Sequence, residues 1–197
     1  MRKPRWRRLW QICVCAVVLG AAAQVNANDL AERLKRADHV LLMRHAYAPG
    51  VGDPEGFQLG QCSTQRNLSA AGREEARKLG MAIRTNRIEL TAVYSSQWCR
   101  CLDTASKLKL GKVIELPALN SFFENREEEH QHTQALKKHI AQLPAGDKVL
   151  YVTHQVNITA LTGVFPQSGE VVLFTMSANG QVNVIGRLTK LNLPPVN

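Results

Sequence analysis

Two histidines and two arginines follow strand-like segments and could meet in one anion-binding pocket. The apolar residues 40–43 end at Arg44 and His45, and the apolar residues 149–152 end at Thr153 and His154. A third strand-like segment, residues 91–94, precedes Arg100. The carboxyl ends of strands in an open α/β sheet form the crevice where ligands bind, so these side chains can converge there from distant parts of the chain.

The chemistry of this set is that of a phosphate pocket. Arginine offers forked N–H donors that match phosphate oxygens, and a neutral imidazole can attack phosphorus as a nucleophile. By its sequence position alone, Arg100 could equally be a phosphate ligand or a surface arginine of a helix. A single histidine at the end of a strand is usually a packed side chain without a catalytic role. The combination in one predicted crevice favours the phosphate site.

Four sequence blocks carry a family resemblance. They are residues 42–46 (LMRHA), residues 68–72 (LSAAG), Ser95-Ser96 with Arg100 and Thr104-Ala105, and residues 152–154 (VTH). In this order they resemble the histidine phosphatase (phosphoglycerate mutase-like) superfamily, and the resemblance covers nearly all of the chain after about residue 38. One position departs from the family pattern: Ala46 stands where glycine usually follows the catalytic Arg-His pair, which raises the question of backbone crowding.

The resemblance implies a role for each matched residue. His45 would attack a phosphomonoester and become phosphohistidine, while Arg44, Arg100 and His154 would bind the phosphate oxygens. Glu124 is the best match to the family's general acid, and Phe122-Phe123 would form a dry wall beside it. The other interpretation of Glu124 is that it begins the acidic surface run that continues through residues 127–129. No metal or other cofactor is implied.

Other polar residues near these blocks are candidate substrate contacts. Arg66 and Asn67 end a loop rich in Gly, Pro, Asp and Gln, where turn contacts are the alternative and slightly favoured interpretation. Gln155 and Asn157 follow His154 and could also reach the substrate.

We expect one α/β domain over residues 28–197, with three layers: a mostly parallel sheet with helices on both faces. Residues 171–175 and 181–188 around Asn179-Gly180 predict an antiparallel hairpin near the C-terminus. Helix caps are predicted at Ser69, at a serine of the Ser95-Ser96 pair, and at Thr133.

The N-terminal residues predict export. Five basic residues, an apolar run from about residue 9 to 23 and Val25-Asn26-Ala27 form a signal peptide over residues 1–27, with cleavage after Ala27; an uncleaved anchor is the alternative. The formal net charge is +9, and about +4 remains without the leader's basic residues, so a nucleic-acid or membrane partner loses its main support. We therefore expect a periplasmic or secreted protein with a small phosphorylated substrate and no stable membrane span.

Three cysteines remain after the leader. In an oxidising compartment Cys62 could pair with Cys99 or with Cys101, and three reduced buried thiols are the alternative. The Cys99-Arg100-Cys101 spacing does not resemble a zinc site, and His130 and His132 are better explained as a solvated turn than as metal ligands.

The expected function is hydrolysis of a small phosphate ester, such as a sugar phosphate or an envelope lipopolysaccharide group, through phosphohistidine. A protein phosphohistidine phosphatase is one alternative, and it is favoured if Glu124 is exposed and remote. A non-catalytic module that binds phosphate or a phosphosugar is the other.

Overall fold

The computed structural model describes residues 32–36 and 39–189 of the 197-residue chain. The predicted signal peptide and its cleavage point lie outside the described residues. None of the helices within the described ranges has the length and apolar character needed to cross a bilayer.

A six-stranded mixed sheet forms the centre of the described domain, with the strand order β3-β2-β4-β1-β5-β6. β1 is parallel to β4, and β2 is parallel to both β4 and β3. β5 and β6 are antiparallel, as the hairpin prediction requires, and β5 pairs with the far edge of β1. The strands are β1 (Val40–Arg44), β2 (Ala92–Ser95), β3 (Val113–Glu115), β4 (Val149–Thr153), β5 (Val171–Met176) and β6 (Val182–Leu188).

The two central strands are apolar along their length because both of their faces are covered. Every residue of β4 is buried, and so are the first four residues of β1. Their register pairs Met43 with Val152 and Arg44 with Thr153. The residues that follow, His45 and His154, therefore leave the sheet side by side.

Helices cover both faces of the sheet, so the predicted three-layer α/β architecture is correct. α1 (Ala70–Thr85) and α2 (Cys99–Leu108) pack on one face against residues such as Leu41 and Val152. α3 (Glu129–Ala141) and α4 (Gln155–Thr162) pack on the other face.

One predicted helix cap is confirmed and two are wrong. Gly72 N–H donates to Ser69 Oγ over 3.0 Å at the start of α1. α2 instead begins after Trp98, without a side-chain cap, and the hydroxyl of Ser96 contacts His154. α3 begins at Glu129, directly after a 3-10 turn at Arg126–Glu128, so Thr133 lies inside the helix. An acidic residue in the first turn of α3 suits the positive end of the helix dipole.

Candidate active site

Three neighbouring strands deliver the central residues of the site. His45 directly follows β1, His154 directly follows β4, and Arg100 is the second residue of α2, which begins four residues after β2 ends. Because β2, β4 and β1 are adjacent in the sheet, all three side chains meet at one edge. The rings of His45 and His154 lie edge to face, with their centroids 5.6 Å apart. These residues and Arg44 line one cleft of about 620 Å³.

His45 is held in the form that a nucleophile requires. Its Nδ1 lies 2.8 Å from the carbonyl oxygen of Ala46, which can only accept, so the ring donates its Nδ1 proton there. The lone pair of a neutral ring is then on Nε2. Burial and, to a smaller extent, the nearby guanidinium groups outweigh the raising effect of the Ala46 carbonyl and together lower the pKa of His45 to about 3. The ring is consequently neutral at neutral pH.

Arg100 is bound by a carboxylate that the sequence analysis did not identify. Asp53 accepts from Arg100 Nη1 over 2.6 Å and from Nη2 over 3.1 Å. The indole Nε1–H of Trp98 donates to the same carboxylate over 2.9 Å. Burial alone would raise the pKa of Asp53, but the hydrogen bonds and charge of Arg100 outweigh it, so the pKa lies below its usual value. Asp53 is thus an ionised partner that fixes the orientation of Arg100.

His154 lies between Arg100 and Ser96. Its Nδ1 is 3.4 Å from Arg100 Nη2, and its Nε2 is 2.9 Å from Ser96 Oγ. Arginine can only donate, so Nδ1 accepts and the proton of the neutral ring is on Nε2. Burial lowers the pKa of His154 well below its ordinary value, and the charge of Arg100 contributes in the same direction. Because Ser96 Oγ can both donate and accept, the ring can exchange tautomers when an anion replaces the arginine at Nδ1.

Three guanidinium groups surround the histidines. Arg44 Nη1 donates to the carbonyl of Pro166 over 3.0 Å, and Arg66 holds the loop after β1 through the carbonyls of Gly52 and Ala48, both at 2.7 Å. The Nε–H groups of Arg44 and Arg100 are buried and have no hydrogen-bond partner within the described chain. A buried donor without a partner is costly unless a ligand supplies one.

The charge of the cleft floor matches a phosphate dianion. Three arginines and the Asp53 carboxylate give a formal charge of about +2 when both histidines are neutral. Burial, followed by the charge of Arg100, lowers the pKa of both Arg44 and Arg66, as expected for cations crowded together without a counter-ion for each.

The backbone after β1 accommodates Ala46 without strain. The described non-glycine residues with a positive φ are Arg87 and Lys109, so Ala46 does not adopt a conformation that requires glycine. Its N–H donates to Thr104 Oγ1 over 3.0 Å, and its methyl group is buried. The departure from the family pattern therefore does not crowd the loop. Glycine is needed instead at Gly72, where a Cβ would lie 2.1 Å from the carbonyl oxygen of Tyr47.

Glu124 lies at the mouth of the cleft. It lines the cleft, and a Cβ at Gly52 would lie 2.9 Å from its Oε1, but its side chain is exposed. The expected dry wall does not form, because Phe122 is buried in the domain and Phe123 is itself 39% exposed. Glu124 thus lines the cleft and is in contact with solvent.

Two of the four candidate substrate contacts line the cleft, and two do not. Arg66 and Gln155 line the cleft. Asn67 instead donates to the carbonyls of Cys62 and Gln65, and Asn157 donates to the carbonyl of Asn120 over 2.8 Å. Neither of these asparagines lines the cleft, and the amide N–H groups of both hold loops.

The sequence analysis missed Asp53 and Trp98. A place in the loop after β1 was the only sequence signal for Asp53, since no local pattern marks the partner of a distant arginine. Trp98 precedes Arg100 by two residues, and its ring stacks on Phe57 with centroids 5.1 Å apart.

A disulfide joins Cys62 to Cys99, and Cys101 is free and buried. This is one of the two pairings left open by the sequence. The bond ties the loop after β1, which carries Asp53 and Arg66, to the start of the helix that presents Arg100. Within the described ranges no group of three or more His, Cys, Asp or Glu could hold a metal ion, and His130 and His132 lie in α3 rather than in a turn.

Comparison with known proteins agrees with this geometry. Residues 40–124 match the model of the histidine phosphatase superfamily (branch 1). No curated protein sequence gives a significant match.

Solved structures share the fold at low identity. The protein histidine phosphatase SixA complexed with tungstate is 18% identical, with a TM-score of 0.55, over 79% of this chain and 99% of that one. The phosphoserine phosphatase of Entamoeba histolytica in complex with 3-phosphoglyceric acid is 16% identical, with a TM-score of 0.56, over 79% and 99%. The product of the open reading frame Rv3214 of Mycobacterium tuberculosis is 16% identical, with a TM-score of 0.56, over 77% and 97%.

The matched segment contains β1, β2, α2 and the residues His45 and Arg100, and the sheet then adds His154 from β4 beside them. Over residues 40–124 the chain is therefore similar to the histidine phosphatase superfamily, and its described domain shares the fold of these solved phosphatases.

Proposed function

We propose that the protein is an exported phosphomonoesterase that hydrolyses a small phosphate ester through a phosphohistidine intermediate. One observation carries the proposal: a neutral histidine whose Nε2 lone pair is available lies in a cleft with two arginines whose buried Nε–H groups have no hydrogen-bond partner in the described chain. This arrangement can bind a phosphoryl group and attack it without any rearrangement of the sheet.

The first chemical step forms an N–P bond and breaks an O–P bond. His45 Nε2 attacks phosphorus, the alkoxide leaves with the proton of the Glu124 carboxyl group, and the products are phosphohistidine and an alcohol. Arg44, Arg66 and Arg100 stabilise the negative charge on the transferring phosphoryl group. His154 joins them once its proton is on Nδ1, with Ser96 Oγ then donating to Nε2.

The second step regenerates the free enzyme. Water attacks the phosphohistidine, the N–P bond breaks, and Glu124 takes the proton of the attacking water. The products are inorganic phosphate and neutral His45. The Nδ1–H bond to the Ala46 carbonyl keeps the ring oriented through both steps.

Export is supported by the predicted leader and by the Cys62–Cys99 disulfide, since disulfides persist mainly in oxidising compartments. Cell fractionation combined with intact mass tests it. The expected species is periplasmic or secreted and begins at Asn28, whereas a full-length chain in the membrane fraction contradicts cleavage.

The exposed position of Glu124 favours a second candidate, a protein phosphohistidine phosphatase. An N–P bond to a partner's imidazole is more labile than an ester and depends less on an enclosed general acid. In this case a Glu124→Gln variant retains most of its activity on a phosphohistidine peptide and loses its activity on alkyl esters.

The test of the main proposal compares the wild type with His45→Ala on a chromogenic aryl phosphate in the presence of a chelator. An alkaline quench followed by intact mass detects the covalent phosphoryl group. The matched control is His130→Ala, which removes an exposed histidine of α3 outside the cleft. Turnover and phosphoenzyme should vanish together only in His45→Ala. A wild type that binds phosphate but gives neither signal is a binding module rather than an enzyme.

A further inference from the structure

The mouth of the cleft is apolar in a way that the phosphate chemistry does not require. Among the described residues, Val51, Phe123 and Phe165 are large hydrophobic residues that are 85%, 39% and 68% exposed. All three line the cleft. Single exposed hydrophobic residues are common on protein surfaces, but several that converge on one concave site mark a ligand surface. We refer to these three residues as the apolar rim.

The apolar rim is built from three separate segments of the chain. Val51 belongs to the loop after β1, Phe123 to the segment between β3 and α3, and Phe165 to the loop after α4. The loop that carries Val51 approaches the Phe123 ring at the next residue, since a Cβ at Gly52 would lie 4.0 Å from a ring carbon of Phe123. Folding leaves these groups in water although each lies beside a cleft, so a ligand that covers them gains the free energy of burying apolar surface.

The charges of the cleft are segregated between floor and mouth. The cations that line it are Arg44, Arg66 and Arg100, which surround the histidines. The charged residues that line it near the rim are Glu55 and Glu124, both exposed. The lining therefore has one cluster of cations, sufficient for one phosphoryl group, and the guanidinium of Arg126 lies over the Phe123 ring, 5.3 Å from its centroid.

We propose that the natural substrate carries one phosphate on an uncharged apolar or aromatic alcohol, whose organic part packs on the apolar rim. This inference rests on the proposed function and specifies its substrate class. It disfavours sugar phosphates, whose hydroxyl groups would lose water against Val51 and Phe165. A cleft of about 620 Å³ has room for a phosphate and a ring-sized organic group.

The first experiment compares two esters whose leaving groups are both primary alcohols, so that their intrinsic reactivity is similar: 2-phenylethyl phosphate and glucose 6-phosphate. We expect kcat/KM to be at least about tenfold higher for 2-phenylethyl phosphate, as contact with an apolar pocket commonly gives. Phe165→Ser should reduce this ratio several-fold. The matched control is Met81→Ser, which removes an exposed hydrophobic side chain of α1 outside the cleft and should leave the ratio unchanged.

The second experiment measures binding without turnover. Isothermal titration compares benzylphosphonate with methylphosphonate, which have the same charge, and we expect about tenfold tighter binding of the benzyl compound. Selective binding without hydrolysis of any ester would support the apolar rim and refute the proposed hydrolase. Hydrolysis with equal kcat/KM for the two esters, or equal affinity for the two phosphonates, would overturn the apolar-substrate proposal and leave the hydrolase standing.

Discussion

Removal of the Cys62–Cys99 disulfide should destabilise the domain strongly. The two cysteines are separated by 37 positions in the sequence. In the chain-entropy model, releasing a loop of this length lowers the free energy of unfolding by about 4 kcal/mol. For a domain of this size, such a loss corresponds to a fall in Tm of about 8 to 16 °C.

The effect on activity should be smaller than the effect on stability. Non-covalent contacts join the same two segments: Gln65 Oε1 accepts from the N–H of Cys99 over 2.9 Å, and Asp53 binds both Arg100 and Trp98. These contacts keep the loop in place while the domain is folded. Well below the new Tm, we therefore expect kcat to be retained within about threefold, because the catalytic groups stay in position.

The assay is urea denaturation of the wild type and of a Cys62→Ala, Cys99→Ala double variant, each with and without reductant. Reductant should lower the midpoint of the wild type to about that of the double variant and leave the double variant unchanged. Since the reduced wild type keeps both sulfur atoms, this comparison separates the cross-link from the packing of Cys99, which is 5% exposed. A destabilisation below about 1 kcal/mol in both would refute the loop-entropy reasoning.

Three further predictions concern the charges of the cleft. The pKa of His45 in the folded state is about 3, so the unfolded chain binds more protons than the folded chain between pH 3 and 6.5. The free energy of unfolding should therefore fall by about 2 kcal/mol from pH 7 to pH 5, and His154 should contribute in the same direction. Urea denaturation at the two pH values measures this change. His45→Gln should flatten that dependence, and an unchanged slope would contradict the assignment. Glu124→Gln should lower kcat/KM, which reports formation of the phosphoenzyme, about 10²-fold on 2-phenylethyl phosphate and much less on 4-nitrophenyl phosphate, whose leaving group needs no proton; equal losses of kcat/KM would exclude the acid role. Asp53→Asn removes the negative charge bound to Arg100 and should lower the inhibition constant of inorganic phosphate several-fold. A higher inhibition constant would mean that the orientation of the guanidinium matters more for phosphate binding than the charge of Asp53.

The central sheet could be predicted from the sequence because its strands have recognisable local sequence patterns. Residues 40–43 and 149–152 are continuous apolar runs, as buried parallel strands are, and a histidine follows two residues after each run. Parallel pairing then requires both histidines to lie at the same edge. The C-terminal hairpin could be predicted in the same way from its Asn-Gly pair. Gly180 adopts the positive φ that such a turn requires.

The features that the sequence did not predict depend on contacts between distant segments of the chain. Asn157 was a candidate for the site because it follows His154 by three residues. In α4 this spacing directs its side chain toward the backbone carbonyl of Asn120, to which it donates. Thr133 has the chemistry of a helix cap, yet the preceding 3-10 turn starts α3 four residues earlier. Asp53 lies in a loop whose course is fixed by Arg100, Trp98 and the disulfide, and none of these partners can be read from the loop itself.

The strand order has a consequence for how the protein is made. β4 lies between β2 and β1, although both of those strands precede it in the chain. A chain that ends before residue 149 lacks the strand that pairs with the facing edges of β1 and β2. Such strand pairing between distant segments forms late in folding. The site is therefore complete only once β4 has entered the sheet with His154.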